Sequence, residues 1–169
     1  PLLRHQKVSM GASQLLLPWV EELLSEASIE LSSLDAIAIG IGPGAFTGVR
    51  LGVAAVQGLA TAAKLPVLPV VSLDAIACQL TLSPTFLSSR AQSFVIAVDA
   101  RMGEVYWASY KATPNQLPQR QGEIHLTVPE DIQLSNIDFL AGSAIAEFGD
   151  RVFASISQPF SSTHIDSSI

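Results

Sequence analysis

The stretch "AIAIGIGPGAFTGVRLGVAAVQGLATAAK", Ala36 to Lys64, holds six of the chain's eleven glycines. "DAIAIGIG" (Asp35 to Gly42) reads as a buried strand, a glycine-proline turn follows, and Thr47 to Ala63 reads as a helix. A strand passing through glycines into a helix N-terminus offers free N–H groups and the positive end of the helix dipole, which is the setting of many phosphate sites. The phosphate signatures themselves do not fit. The Walker motif ends in Gly-Lys-Ser/Thr, and no lysine follows Gly48. Gly40 to Ala45 matches G-x-G-x-x-A loosely, but Pro43 removes a donor and the next acidic residue, Asp74, is too distant for a ribose contact. An anion held here would rest on Gly42, Gly44, Thr47, Gly48 and Arg50. The competing reading is that the glycines serve a tight turn and close packing.

The helix favours packing. From Val49 to Lys64 its polar residues are Arg50, Gln57, Thr61 and Lys64. At about 100° per residue they fall in a stripe roughly 60° wide. The remaining circumference is Gly, Ala, Val and Leu, which predicts cover on at least two sides. Gly48 and Gly52, then Ala54, Gly58 and Ala62, recur at four-residue spacing, and rows of small residues let helix backbones approach. An earlier helix, Ser13 to Ala27, has Ser13 as its expected N-cap and Pro18 near its first turn. Its polar side carries Gln14, Glu21, Ser25 and Ser28, flanked by Glu22 and Glu26, while Leu15 and Trp19 project beside the core-facing leucines. Together the two helices predict a partner interface built from Leu15, Trp19 and Leu23 of the first and Gly48, Gly52, Ala55 and Leu59 of the second.

Further along, "PVLPVVS" (Pro66 to Ser72) reads as a strand, and Ser72 as the cap of a helix reaching about Leu82. "SPTFLSSRAQS" (Ser83 to Ser93) is expected to be a loop and the lobe boundary. "FVIAVDARMGEVYWASYKA" reads as a hairpin turning at Arg101-Met102-Gly103, "EIHLTV" as a strand, and "IDFLAGSAIAEF" as strand, glycine turn and short helix. This order predicts a two-lobed α/β protein, with residues 1–88 in the first lobe and 89–169 in the second. Both ends break off in mid-pattern, so the chain is expected to lack its opening strand and its C-terminal closing element.

Of the 169 residues, 49% are hydrophobic and 14% charged, a core-forming composition. No apolar run reaches the length of a membrane span, and no secretory leader is recognisable. A single cysteine, Cys78, rules out an intrachain disulfide framework and fits a reducing, cytoplasmic setting. The net charge of −6 argues against tight nucleic-acid binding by this chain alone. His5, His125 and His164 lie far apart without a second ligand nearby, so no metal site is expected. Cys78 reads as a buried small hydrophobe, and no G-x-S-x-G elbow is present. Asp99, Arg101 and Glu104 gather at the hairpin, where a charged turn is the simpler reading than a catalytic site. No acid–base pair or nucleophile emerges, which points to a noncatalytic α/β scaffold.

Four stretches carry a family resemblance: "SQLLLPWVEELL" (Ser13 to Leu24), "GIGPGAFTGVRLGVAAVQGLA" (Gly40 to Ala60), "PVLPVVSLDAIA" (Pro66 to Ala77) and "AVDARMGEVYWASY" (Ala97 to Tyr110). They resemble the TsaB family, formerly YeaZ, most specifically in the Gly-Pro-Gly-x-Phe-Thr-Gly-x-Arg run at Gly42 to Arg50. The resemblance implies the actin-like, Hsp70-like ATPase fold (ribonuclease H-like), degenerate as an enzyme. It implies a scaffold that docks through its first two helices onto TsaD, works with the ATPase TsaE, and self-associates by the same surface in isolation. The implied task is addition of a threonylcarbamoyl group to adenosine beside the anticodon of tRNAs reading ANN codons. ATP and metal would belong to the partner subunits, with none held tightly here, and tRNA would be met only through the complex. The alternatives are a nucleotide-dependent, kinase-like enzyme of the same superfold or a glycoprotease-like peptidase. Two departures stand out: the family's opening strand with its Asp-Thr-Ser-type turn is absent, and Ala12 stands where members often have histidine.

Overall fold

The computed structural model describes residues 1–6, 11–44, 46–154 and 165–167. They form two compact units, Pro1–Val70 and Val71–Ile169.

In the first unit, helix α1 (Ala12–Ala27) leads through a 3-10 turn (Leu31–Ser33) to strand β1 (Ile37–Ile41), helix α2 (Phe46–Ala63) and strand β2 (Val67–Val71), whose last residue opens the second unit. β1 and β2 make a two-stranded sheet. The strand–turn–helix order is that expected from Ala36 to Lys64, and β2 that expected from Pro66 to Ser72. β1 alternates between half-buried and exposed residues and is not the buried strand expected, because its sheet has only two strands. Two details of α1 differ. The N-cap is Gly11, at φ 89°, with Ser13 already inside the helix, because glycine takes the left-handed conformation without a Cβ penalty. Pro18 is interior, not in the first turn. It has no N–H to give the carbonyl of Gln14, a cost the helix absorbs by keeping Pro18 on its exposed side.

The second unit is built on a five-stranded sheet of order β5-β4-β3-β6-β7. Helix α3 (Ser72–Thr81) and helix α4 (Pro84–Ser89) precede β3 (Ser93–Arg101), β4 (Glu104–Lys111), β5 (Gln119–Thr127), β6 (Phe139–Ala141), helix α5 (Ala144–Val152) and β7 (Ile165–Asp166). β3, β4 and β5 pair antiparallel, whereas β6 runs parallel to β3 and β7 parallel to β6. The segment expected to be a loop after Leu82 contains α4. Ser83 caps it, its hydroxyl accepting the Phe86 N–H at 3.2 Å, and Pro84 occupies the first turn. Serine followed by proline is a helix start. The α3 cap position is held by Val71, with Ser72 the first helical residue.

Both faces of this sheet are covered, so four successive residues of β3, Phe94 to Ala97, are buried rather than alternating. Phe94 and Ile96 point to one face, with Ala108, Tyr110 and Phe139, where Leu73, Ala77 and Leu80 of α3 and Phe86 of α4 cover them. Val95 and Ala97 point to the other, with Val105, Trp107 and Leu140, under Ala144 and Val152 of α5. Phe86 packs edge-on against Phe94 and Phe139 at ring separations of 5.0 and 5.2 Å. Gly142 joins β6 to α5 at φ 118°, and a Cβ there would stand 2.2 Å from the Ala97 carbonyl oxygen, so no other residue fits. Leu73, Ala77, Leu80 and Phe86 thus pack α3 and α4 onto the sheet that follows them.

Candidate functional site

α1 and α2 lie side by side in the first unit. α2 is helical by composition, with Ala, Leu, Val and Gln filling its interior. One side rests on β1, and a Cβ on Gly52 would meet Ile39 Cδ1 at 3.0 Å. That contact fixes the rotation of the helix. Ala60 is the buried residue of α2. Gly52, Ala55 and Leu59 are half-buried and Gly48 is exposed. The other small-residue row, Ala54, Gly58 and Ala62, is exposed, and nothing lies within 4 Å of the position a Gly58 Cβ would take. On α1, Leu15, Trp19 and Leu23 are half-buried and Leu17 is exposed.

The fold thus brings the two predicted helices together and distinguishes between the two glycine-alanine rows. Gly52 belongs to the internal contact with β1, and Ala54–Gly58–Ala62 forms the open face. The sequence carried both rows at the same spacing. Only the position of β1 tells them apart, so Ala54, Gly58 and Ala62 did not enter the expected interface set.

In the glycine loop, Gly42 has φ 98°, and a Cβ on Gly44 would press on Val49 Cγ2 at 3.3 Å. Thr47 is exposed in the first turn of α2. The Arg50 guanidinium carbon sits 3.3 Å from the centre of the Phe46 ring, and Phe46 itself is 70% exposed. Arg50 is therefore engaged in a cation–π contact. Ala45, within the resemblance motif, lies outside the described residues.

The hairpin charges have structural uses. Asp99 Oδ1 accepts the Arg101 backbone N–H at 2.7 Å, and Asp99 Oδ2 lies 3.5 Å from Arg101 Nη1. They close the turn across a bulge at Asp99/Arg101, where Arg101, Met102 and Gly103 all have positive φ. Tyr110 donates its hydroxyl to Asp74 Oδ1 at 2.8 Å, and Arg120 Nε stands 3.2 Å from the same oxygen. Burial, and then the Asp74 carboxylate, push the Tyr110 phenol well above its ordinary pKa. Arg151 grips both carboxylate oxygens of Glu130, at 2.5 and 2.9 Å, which holds that carboxyl below its ordinary value. Among the described residues, no group of three or more His, Cys, Asp or Glu gathers as metal ligands would, and no helix is long and apolar enough to cross a membrane. His164 lies outside the described residues.

The family model described as "TsaD: tRNA N6-adenosine threonylcarbamoyltransferase" matches residues 6–167. The protein named "tRNA threonylcarbamoyladenosine biosynthesis protein TsaB" of Escherichia coli K12 is 41% identical over 103 residues, 61% of this chain and 42% of that protein. Its namesake in Haemophilus influenzae is 44% identical over 93 residues, 55% of this chain and 37% of that protein. The chain spans under half the length of these curated relatives. Among solved structures, one described as an uncharacterized protein with similarity to peptidase YEAZ, from Pseudomonas aeruginosa, superposes with a TM-score of 0.75 at 36% identity, covering 95% of this chain and 70% of that one. A second, described as YeaZ from the same species, gives a TM-score of 0.72 at 36% identity, covering 93% and 70%.

Proposed function

Because the chain belongs to the TsaB (YeaZ) family, with its actin-like α/β fold and within the wider family matched by the TsaD model, we propose that it serves threonylcarbamoyladenosine biosynthesis in tRNA as a docking subunit. In this reading it is a noncatalytic scaffold that binds and activates TsaD, with TsaE completing the assembly. The chemistry, its ATP and its metal sit on those partners, and tRNA is met through the complex, in the cytoplasm. In isolation the same face pairs two copies of this chain.

The observation that carries the reading is the exposed Ala54–Gly58–Ala62 face of α2 beside α1. Small residues there admit a partner helix at close range, while Leu15, Trp19 and Leu23 supply apolar area alongside. Because that face carries nothing larger than a methyl group, added bulk is the right test. Gly58→Leu points into open space, so the fold should hold while the partner is kept away. In a pull-down with the cognate TsaD, we expect at least tenfold weaker capture with an unchanged melting temperature. Full capture by the variant would refute docking through this face.

The glycine loop takes a subordinate role in this reading. With Arg50 turned onto Phe46, any anion at Gly42, Gly44, Thr47 and Gly48 would be held by backbone N–H groups and a hydroxyl, which suits a weak site. Calorimetry with ATP and Mg²⁺ tests this directly. Micromolar binding with turnover would replace the scaffold by a nucleotide-dependent enzyme.

A further inference from the structure

The tip of the β3–β4 hairpin combines two features that the fold does not require. Arg101, Met102 and Gly103 have φ of 68°, 55° and 81°, three left-handed residues in succession. Glycine takes that conformation freely, whereas in arginine and methionine the Cβ crowds the following carbonyl oxygen. Met102 is also 98% exposed, while the next large hydrophobics among the described residues reach 78%. Asparagine or a second glycine would suit such a turn better on both counts. A strained and fully solvated thioether points to a use outside the packing of the chain.

The backbone under the tip is held without it. Asp99 Oδ1 accepts the Arg101 N–H at 2.7 Å, and the Asp99 N–H donates to Ser143 Oγ at 3.2 Å, which ties the hairpin to the start of α5. Arg101 stands in register with Glu104 across the bulge. None of these contacts uses the Met102 side chain, so its sulfur can change chemically while the hairpin keeps its form. Other oxidisable groups of the same unit are less open: Cys78 is half-buried and Trp107 is 4% exposed. Met10, the other methionine, lies outside the described residues.

We propose that Met102 is a surface oxidation site, converted by peroxide-class oxidants to methionine sulfoxide and restored by a thiol-dependent reductase, with the fold the same in both states. The thioether sulfur attacks one oxygen of hydrogen peroxide, so that an S–O bond forms and the O–O bond breaks. The hydroxide released takes the proton left on the sulfoxide oxygen and departs as water. Sulfur loses two electrons and the peroxide gains them. In the return step two thiols supply two electrons, and a disulfide and water are the products. The hairpin tip thereby passes from apolar to polar and back, above a sheet that does not register the change. The inference does not depend on the docking reading.

The test uses the full chain, treated with hydrogen peroxide and digested with trypsin, which releases Met102–Lys111. That peptide should gain one oxygen at a rate within about threefold of free N-acetylmethionine amide, because susceptibility follows exposure. A slower rate would mean that the sulfur is shielded, and overturns the site. Met102→Leu should abolish the gain. If the peptide of the variant still takes up oxygen, the reacting group is Trp107 and the assignment fails. The oxidised chain should melt within about 2 °C of the untreated one, as a surface change does. A larger fall that Met102→Leu prevents would show that the fold rests on the thioether, and rejects the proposal. Methionine sulfoxide reductases of both stereochemical classes, with dithiothreitol, should remove the added oxygen from the folded chain. Its persistence would overturn the reversibility.

Discussion

Strands β2 and β3 have similar sequences and opposite fates. "VLPVV" in β2 leaves Leu68 54% exposed, whereas "FVIA" in β3 leaves Phe94 and Ile96 with no exposure. The contrast extends to the two units. Among the described residues, Ala60 is the one buried hydrophobic of residues 1–70, and all the others lie in 71–169. Apolar composition is similar, but layering is not. β3 has a strand on each side, α3 and α4 over one face and α5 over the other. β1 and β2 share a two-stranded sheet with α2 against it. A hydrophobic side chain contributes stability through the area removed from water, so the same residue type is worth far more in the second unit.

The largest effect should come from the layered sheet. Phe94→Ala is expected to cost about 3–5 kcal/mol in urea unfolding, whereas Leu68→Ala should cost under about 1 kcal/mol. Equal losses would erase the distinction between the units. Next, Gly142→Ala drives a methyl into the Ala97 carbonyl and demands φ 118° of an L-residue, so at least about 2 kcal/mol should be lost. A neutral result by thermal denaturation would mean that β6 and α5 can part from β3 freely.

The two glycine rows of α2 give a sharper comparison inside the first unit. Gly52→Leu must push against Ile39 and should destabilise by about 1–3 kcal/mol, whereas Gly58→Leu should leave the melting curve in place. The opposite pattern would mean that the helix is rotated and the docking face is wrongly assigned. The smallest effect concerns Tyr110. Tyr110→Phe removes its hydrogen bond to Asp74 at a cost of about 1 kcal/mol. The folded phenol titrates well above the unfolded value of about 10. Its contribution is therefore complete below that pH and is lost progressively as pH rises beyond it. The phenylalanine variant should show a flatter alkaline limb in stability against pH. An identical limb in both proteins would rule out this source.

Much was legible in the residues. Periodicity located β1, α2, β2, α3 and the β3–β4 hairpin, because their patterns are long and their breakers are glycines or prolines at turns. The miss at α4 has a local cause. Ser83-Pro84 is a helix-start signal inside a serine-rich run that otherwise reads as loop. Pro18 also misled, since α1 begins earlier than its serine and places the proline in the interior. The open face of α2 was half legible, for the row containing Gly58 and the row containing Gly52 look alike from spacing alone.

The sequence by itself determined the α/β class, the two packing helices and the family, through local signals: turn glycines, helical spacing and the Gly42 to Arg50 run. The tertiary structure decided which side of α2 is spent on β1 and which is free, that Arg50 lies on Phe46, and that Ser143 holds Asp99 beneath the hairpin tip. Those are contacts between residues distant in the chain. Helical periodicity gives the relative angles of side chains around an axis, but only a packed neighbour sets where that axis is turned.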